Sequence, residues 1–420
     1  MKNNDKRVIF HIDANSAFLS WSAIDRLQHG DSLDIRKIPS VVGGDPISRH
    51  GIVLAKSIPA KKFKIQTGET LYSALQKCPD LFIVPPQYDL YMRCSNAMMD
   101  ILKEYTPIVQ RFSVDECFLD FTGMDNIYPD FLELAYIIKN RIKNELGFTV
   151  SIGVSNNKLL AKVASDIKKP DAVITLFPNE IKEKMWPLPV EDLFMVGRAT
   201  APKLHKLNIE TIGELATFDL EVLKVSLKSH GVMIWNYANG IEYSEVRKSS
   251  HIDMKGIGNS TTIAFDVDNR KEAHKIILSL SETVSMRLRD SGNYCSLVSV
   301  HFKTDDFYSC GRQRKLYYYT DCTKKIAEVA CELFDELWKG ESLRHIGVRV
   351  SELCTNEFCQ ITLFEEKDNE KNRALDAAID SIRMRFGSKS IIRATFLHSG
   401  IKPLTGGVGE EDFPAMSSIL

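Results

Sequence analysis

The sequence predicts a multidomain α+β protein. Three observations carry this. The chain has 420 residues, more than one hydrophobic core ordinarily organises. Up to about residue 170, strand-like and helix-like stretches alternate in a ferredoxin-like order. Residues 251–353 then read strand–helix–strand–strand–helix–strand, a separate four-stranded sheet backed by two helices.

Bulk composition excludes several classes. The chain is 44% hydrophobic and 26% charged, as soluble globular proteins are. No apolar run reaches the length of a membrane span, so no membrane partner is expected. The polar start, Met1-Lys2-Asn3-Asn4-Asp5-Lys6-Arg7, leads into a strand and shows no secretory signal. Nine scattered cysteines without a Cys-x-x-Cys pair argue against a disulfide framework and a structural zinc site. They fit a reducing, cytoplasmic setting. The formal net charge of −1 gives no bulk support for nucleic-acid binding. Any basic surface must be local.

In chain order, residues 7–13 are mostly apolar, as in a central strand. Asn15 reads as the cap of a helix running to about Leu27. Residues 30–75 form a small mixed insertion, with strand signals at 41–44 and 51–55 and a basic stretch at 56–64. Residues 88–105 have helical spacing, and 112–121 read as a strand or tight hairpin. Residues 131–146 are amphipathic through Leu132, Leu134, Ile137, Ile138 and Ile142. A strand at 148–154 precedes a helix carrying Lys158, Lys162 and Lys168, capped by Asn156 or Asn157.

Residues 180–240 look helical and short-looped. There Met195-Val196-Gly197 leads through Thr200 into a short helix. A hydrophobic–Gly turn of this kind can grip a phosphate through backbone N–H groups, or can simply pack two helices. After a linker at 245–250, strand signals lie at 262–265, 296–302, 315–320 and 346–350, and helix signals at 271–288 and 323–337. Arg312, Arg314 and Lys315 stand beside Tyr317, Tyr318 and Tyr319. Basic and aromatic residues together suit a nucleic-acid surface, or a solvated face of a half-buried strand. Gly256-Ile257-Gly258 lacks the third glycine of a dinucleotide site, and no phosphate loop occurs. Gln360-Ile361-Thr362-Leu363-Phe364 precedes a charged run, as in a peptide that docks in a partner's pocket. Alternatively, Leu363 and Phe364 fold back onto the protein. Leu375, Ile379, Ile382 and Phe386 then make one helical stripe, which Gly387 ends.

The chemistry is concentrated in Ser113-Val114-Asp115-Glu116-Cys117-Phe118-Leu119-Asp120. Asp115 and Glu116 are adjacent carboxylates in an apolar run, and Asp13 is similarly set in Val8-Ile9-Phe10-His11-Ile12-Asp13. A carboxylate in a buried strand is costly unless neutralised. Hard oxygen ligands suit Mg²⁺, and two such sites together suggest two-metal phosphoryl transfer. Asp13 by itself would read as a strand-end carboxylate facing solvent or capping a turn.

These residues resemble the motifs of the Y-family (translesion) DNA polymerases, of the bacterial DNA polymerase IV type. Ser113–Asp120 is similar to the family's S-[IV]-D-E-x-[FY]-L-D. His11-Ile12-Asp13-Ala14-Asn15-Ser16-Ala17-Phe18 matches a second motif, and 154–166 with Lys169-Pro170 a third. Their order covers roughly residues 7–364. The resemblance implies that Asp13, Asp115 and Glu116, with the Ala14 carbonyl, hold two Mg²⁺ ions. It implies nucleotide contacts at Ala14, Ser16, Ala17, Phe18, Lys61 and Lys162, with Phe18 as the gate against a 2′-hydroxyl. DNA contacts fall at Gly197, Thr200, Arg312, Arg314 and Lys315, and a sliding-clamp contact at Gln360, Leu363 and Phe364. Two departures stand out. Ile58 and Lys61 occupy a family Tyr-x-Ala-Arg stretch, and Lys61 offers a point charge where arginine offers a fork. Met195 stands where the family often has the first glycine of Gly-[IV]-Gly.

By the same resemblance, residues 1–30 with 76–170 are the palm and 31–75 the fingers. Residues 171–240 are the helical thumb, 245–353 the little finger, and 354–420 a tail with the clamp peptide and a helix. The expected protein is a monomeric, cytoplasmic, low-fidelity DNA polymerase acting on primer-template DNA and deoxynucleoside triphosphates. A polymerase-like adaptor that has lost catalysis is the competing reading, and another palm enzyme, such as a nucleotidyl cyclase, is a third.

Overall fold

A computed structural model describes residues 7–45, 51–247, 254–355, 369–387 and 390–397. The chain divides into two compact units, one built on residues 1–44 with 52–252 and the other on 253–411.

In chain order the first unit runs β1 (Ile9–Ala14), α1 (Ala17–Gln28), β2 (Ser40–Gly43), β3 (Val53–Lys56), α2 (Ile58–Lys61), α3 (Leu71–Lys77) and β4 (Phe82–Val84). It continues through α4 (Tyr88–Lys103), β5 (Val109–Arg111), β6 (Glu116–Asp120), α5 (Phe131–Leu146), β7 (Val150–Ser155), α6 (Lys158–Ile167) and β8 (Val173–Thr175). Two short helices, α7 (Ala201–His205) and α8 (Ile212–Thr217), and the long α9 (Leu220–Ala238), kinked at Lys228, close it. The main sheet has the order β5-β6-β1-β7-β8. Strand β1 is antiparallel to both β6 and β7. A separate three-stranded sheet, β3-β2-β4, takes two strands from the insertion and its third, β4, from beyond the expected end at residue 75.

Strand alternation decides what β1 presents. Phe10, Ile12 and Ala14 join the large core with α1, α4 and α5. The other face carries Ile9, His11 and Asp13 toward α6. Helix α6 can lie this close because β7 has a glycine at 153: a Cβ there would sit 1.9 Å from the Ala161 carbonyl oxygen. Asn157 caps α6, accepting from the Leu160 N–H at 2.8 Å.

Several expectations are corrected. Asn15 does not cap α1; the N-cap is Ser16, in the left-handed region at φ 48°. The Asn15 side chain instead donates to Ser151 Oγ at 2.9 Å and accepts from the Asp171 N–H at 2.9 Å. It bolts β7 to the segment after α6. On α5, Leu132 and Ile137 are exposed, while Leu134, Ile138 and Ile142 are buried. Helix α6 ends at Ile167, so Lys168 only follows it. Asp115 lies in the turn between β5 and β6, and Glu116 opens β6.

The second unit comprises β9 (Gly256–Val267), α10 (Arg270–Asp290), β10 (Asn293–Thr304), β11 (Ser309–Thr320), α11 (Thr323–Leu337), β12 (Leu343–Thr355) and α12 (Asn369–Phe386). Its four-stranded sheet has the order β11-β10-β12-β9, with antiparallel neighbours throughout. The core lies between this sheet and helices α10 and α11. Helix α12 reverses the expected orientation. Its stripe residues Leu375, Ile382 and Phe386 are exposed, whereas Asp376, Asp380 and Arg383 are buried. The polar face turns inward because it meets opposite charges. Arg289 bonds Asp380 at 2.6 Å and Arg383 bonds Glu282 at 3.2 Å. Gly387, at φ 93°, follows the helix as its terminator.

Candidate active site

Asp13 and Glu116 are direct partners in the β1–β6 register. Side chains so placed lie on one face, about 5 Å apart at Cβ, and like charges there repel. The Ala14 N–H donates to the Asp115 carbonyl at 2.9 Å, which fixes the turn residue beside β1. The Asp115 carboxylate accepts from Ser113 Oγ at 2.6 Å. Sequence-predicted Asp13, Ala14, Asp115 and Glu116 therefore meet at one end of the central strands.

Two lysines neutralise them. Lys162 of α6 donates to Glu116 at 2.8 Å. Lys169, just past α6, lies 2.8 Å from Asp13 and 2.8 Å from Asp166. Burial pushes the Asp13 carboxyl up to about 7, against the opposing pull of Lys169 and with further push from Glu116. Burial likewise raises Asp115, with the Ser113 hydrogen bond opposing it. Burial works against the Glu116 carboxylate too, yet the neighbouring His11 and, after it, Lys162 hold it below the usual carboxylate range. His11 is fully buried, its pKa driven down to about 4 chiefly by desolvation. Its Nδ1 shares a hydrogen bond of 2.8 Å with Ser165 Oγ, and its Nε2 is 3.7 Å from Glu116. It is a neutral wedge under the carboxylates.

The donor set fits a hard divalent cation, since three carboxylates and a carbonyl are all oxygen ligands. The demand for positive charge is visible in the raised Asp13 and Asp115. Among the described residues, no group of acids or histidines is already gathered as a metal cage. A cation entering here must displace the ammonium groups of Lys162 and Lys169.

Phe18, on the first turn of α1, is half-buried and stacked on Tyr91, with ring centroids 4.3 Å apart and planes 7° from parallel. Tyr91 in turn shares a hydrogen bond of 2.9 Å with Ser22. The ring is thus held by the core. Ala17 is buried beside it and Ser16 half-buried. Lys61 and Ile58 are exposed on α2, and Lys61 makes no ion pair with the carboxylates. Lys169 was missed as a site residue. Its signal was present, because Lys169-Pro170 closes the third motif.

At the turn before α7, Met195 adopts φ 72°, the region that favours the glycine it replaces. A Cβ at Gly197 would meet nothing within 4 Å. The backbone there is open to a ligand. The Thr200 N–H returns to the Gly197 carbonyl at 2.9 Å, while its hydroxyl pairs with His230 at 3.3 Å.

The basic residues of β11 divide between two faces. Arg312 and Arg314 register with Val300 and Val298, so they lie on the helix side of the sheet. There Arg312 bonds Glu336 of α11 at 2.8 Å, and Arg314 bonds Glu332 at 2.5 Å. Lys315 lies on the open face, 2.6 Å from Glu352. Tyr317 is 99% exposed. Gln360, Leu363 and Phe364 lie outside the described residues.

Comparison with known proteins matches these features to one group. The impB/mucB/samB family matches residues 12–166, its C-terminal domain 254–363, and the IMS family HHH motif 178–209. DNA polymerase IV of Clostridium acetobutylicum is 48% identical over 93% of this chain and 98% of that protein. The chain belongs to the Y-family DNA polymerases, of the DNA polymerase IV type. DNA polymerase IV of Acetivibrio thermocellus is 40% identical over 93% of this chain and 98% of that protein. A solved Y-family DNA polymerase chimera shares the fold, with a TM-score of 0.70 at 21% identity, over 83% of this chain and 100% of that one. Membership makes the chain a DNA-directed DNA polymerase of the translesion class, and favours the catalytic reading over the inactive adaptor.

Proposed function

We propose that the chain adds deoxynucleotides to a primer 3′ end at the Asp13–Asp115–Glu116 site, with two Mg²⁺ ions as cofactors. The observation that carries this is the facing pair Asp13 and Glu116, each held by a lysine at 2.8 Å. Bound there, the ions would supply the charge that activates the 3′-hydroxyl and neutralises the departing pyrophosphate. The chain's own groups do the rest. Asp13, Asp115 and Glu116, with the Ala14 carbonyl, offer the oxygen ligands. Lys162 and Lys169, released from their carboxylates, are placed to receive triphosphate oxygens, and Lys61 adds an exposed cation on α2. Ser16 and Ala17 lie under the nucleotide with Phe18, whose ring closes the space a 2′-hydroxyl would need.

The parts take the family's names: palm around the main sheet, fingers at 31–75 with β2 and β3, helical thumb from 171 to 240, and little finger on β9–β12. Gly197 and Thr200 receive DNA phosphates, and Lys315 with Tyr317 meets DNA on the open sheet face. Arg312 and Arg314 stand on the other face, so their contribution is to anchor β11 on α11. The Gln360–Leu363–Phe364 peptide tethers the enzyme to the bacterial sliding clamp. The enzyme works as a cytoplasmic monomer of low, mutator-type fidelity. All of the described cysteines are free, in keeping with a reducing compartment. Among the described residues, no helix is long and apolar enough to cross a membrane.

The test is primer extension by Asp115→Ala and Glu116→Ala. Each is expected to lose activity by on the order of a thousandfold or more, as when a ligand that positions charge is removed, while DNA binding persists. Extension near the parent rate would refute the assignment.

A further inference from the structure

Along the seam of α10 and α11, the second unit carries a cavity of about 490 Å³ that the polymerase chemistry does not use. Leu278, Ala327 and Cys331 give it an apolar lining. Its basic side chains are of two kinds. His274 is 2.9 Å from Asp335, Lys324 is 3.8 Å from Glu328, and Arg393 pairs with Glu282. Lys271 and Lys275, one turn apart on α10, also line it, and neither has an ion-pair partner among the described residues. An apolar lining beside two unpaired cations suits a segment that is acidic and partly apolar.

The chain has such a segment in the right place. Arg393 and Thr395 line the cavity, and Phe396 beside them is buried. In the sequence, residues 398–407 then lead to Val408-Gly409-Glu410-Glu411. That connection reaches roughly 35 Å when extended and averages roughly 17 Å as a flexible chain. Both lengths suit a return to the cavity wall from which the tail departs. Tethering also supplies an effective concentration of about a millimolar, so weak contacts suffice. We infer that Val408-Gly409-Glu410-Glu411 docks in this cavity, with Glu410 and Glu411 against Lys271 and Lys275 and Val408 against the apolar lining.

The test uses the full chain with the photo-crosslinking residue p-benzoylphenylalanine in place of Val408, irradiated and mapped by mass spectrometry. Cross-links within one chain, to residues 271–278 or 324–331, are expected. Their yield should fall about fivefold or more with Lys271→Glu/Lys275→Glu, the size expected for losing two surface ion pairs. Adding Glu410→Lys/Glu411→Lys to that variant should restore them. Cross-links mapping elsewhere, links between isotopically distinct copies, or a yield indifferent to charge reversal would each overturn the inference. Lys271 is exposed and Lys275 half-buried, neither belongs to the core, and a melting curve checks that the reversals leave the fold intact.

Discussion

At the scale of single residues, the site is a problem of like charges solved by borrowed cations. Asp13 and Glu116 face each other across two strands, and Lys169 and Lys162 hold them there. The raised Asp13 carboxyl gives this a pH signature. Its folded pKa, about 7, lies well above the usual carboxylate range. The protonated group therefore favours the metal-free fold at low pH, and that contribution fades as pH rises through 7. A divalent cation must evict the proton, so binding should tighten from pH 6 to 8. Calorimetric titration of Mg²⁺ in two buffers of different ionisation enthalpy should show proton release near pH 6.5, reduced in Asp13→Asn. No release at that pH would contradict the coupling. Phe18 makes the second residue-scale prediction. Its ring is stacked on Tyr91, so it cannot swing aside from a ribose. Phe18→Ala should lower the preference for deoxynucleotides over ribonucleotides by about tenfold or more, read from competing single-nucleotide incorporations. Unchanged preference would remove the gate. Asp13 and Glu116 were legible because charges inside apolar runs demand a reason. Lys169 was less legible, because a Lys-Pro pair after a helix also reads as an ordinary terminator. Asn15 was misread because Asn before a helix is usually its cap, and only the fold brings Ser151 and Asp171 to it.

At the scale of elements, alternation decides more than adjacency. Arg312, Arg314 and Lys315 looked like one basic cluster, but the period of two in a strand splits them. The two arginines meet Glu332 and Glu336 of α11, and Lys315 takes the open face beside Tyr317. Lys315→Ala should therefore weaken DNA binding and reduce the salt slope by about one phosphate contact. Arg314→Ala should leave that slope unchanged. Binding titrations across salt concentrations decide it, and the reverse pattern would place DNA on the helix side. Helix α12 teaches the complementary lesson. Its apolar stripe was correctly spaced, but periodicity cannot say which face turns inward. The buried partners Glu282 and Arg289 come from α10, far off in sequence, and they draw Asp380 and Arg383 to the core. Buried charges of this kind are tolerated only when paired.

At the scale of the whole molecule, a net charge of −1 sets how the enzyme stays on DNA. The succession of strands and helices in both units was legible from motifs and periodicity, but the order of strands within the sheets was not, because it is set by pairings between residues far apart in sequence. What holds the molecule to a template did not follow, because bulk charge offers no general attraction. On the proposed function, affinity comes from a few local contacts such as Gly197, Thr200 and Lys315, of which the cationic one, Lys315, loses counterion-release energy as salt rises. A polymerase that relied on few cationic contacts would gain most from a second attachment at physiological salt. The Gln360–Leu363–Phe364 peptide would provide one, raising the local concentration on clamp-loaded DNA to about a millimolar for a short flexible link. The benefit should then grow with salt, because an apolar Leu–Phe contact is insensitive to screening while the DNA contacts are not. Leu363→Ala/Phe364→Ala should leave extension without the clamp unchanged and abolish its stimulation by the clamp. The gap between parent and variant should widen from about 50 mM to about 200 mM salt, the range over which phosphate contacts weaken. Stimulation that survives the double substitution, or a gap that narrows with salt, would mean that the tether lies elsewhere in the chain.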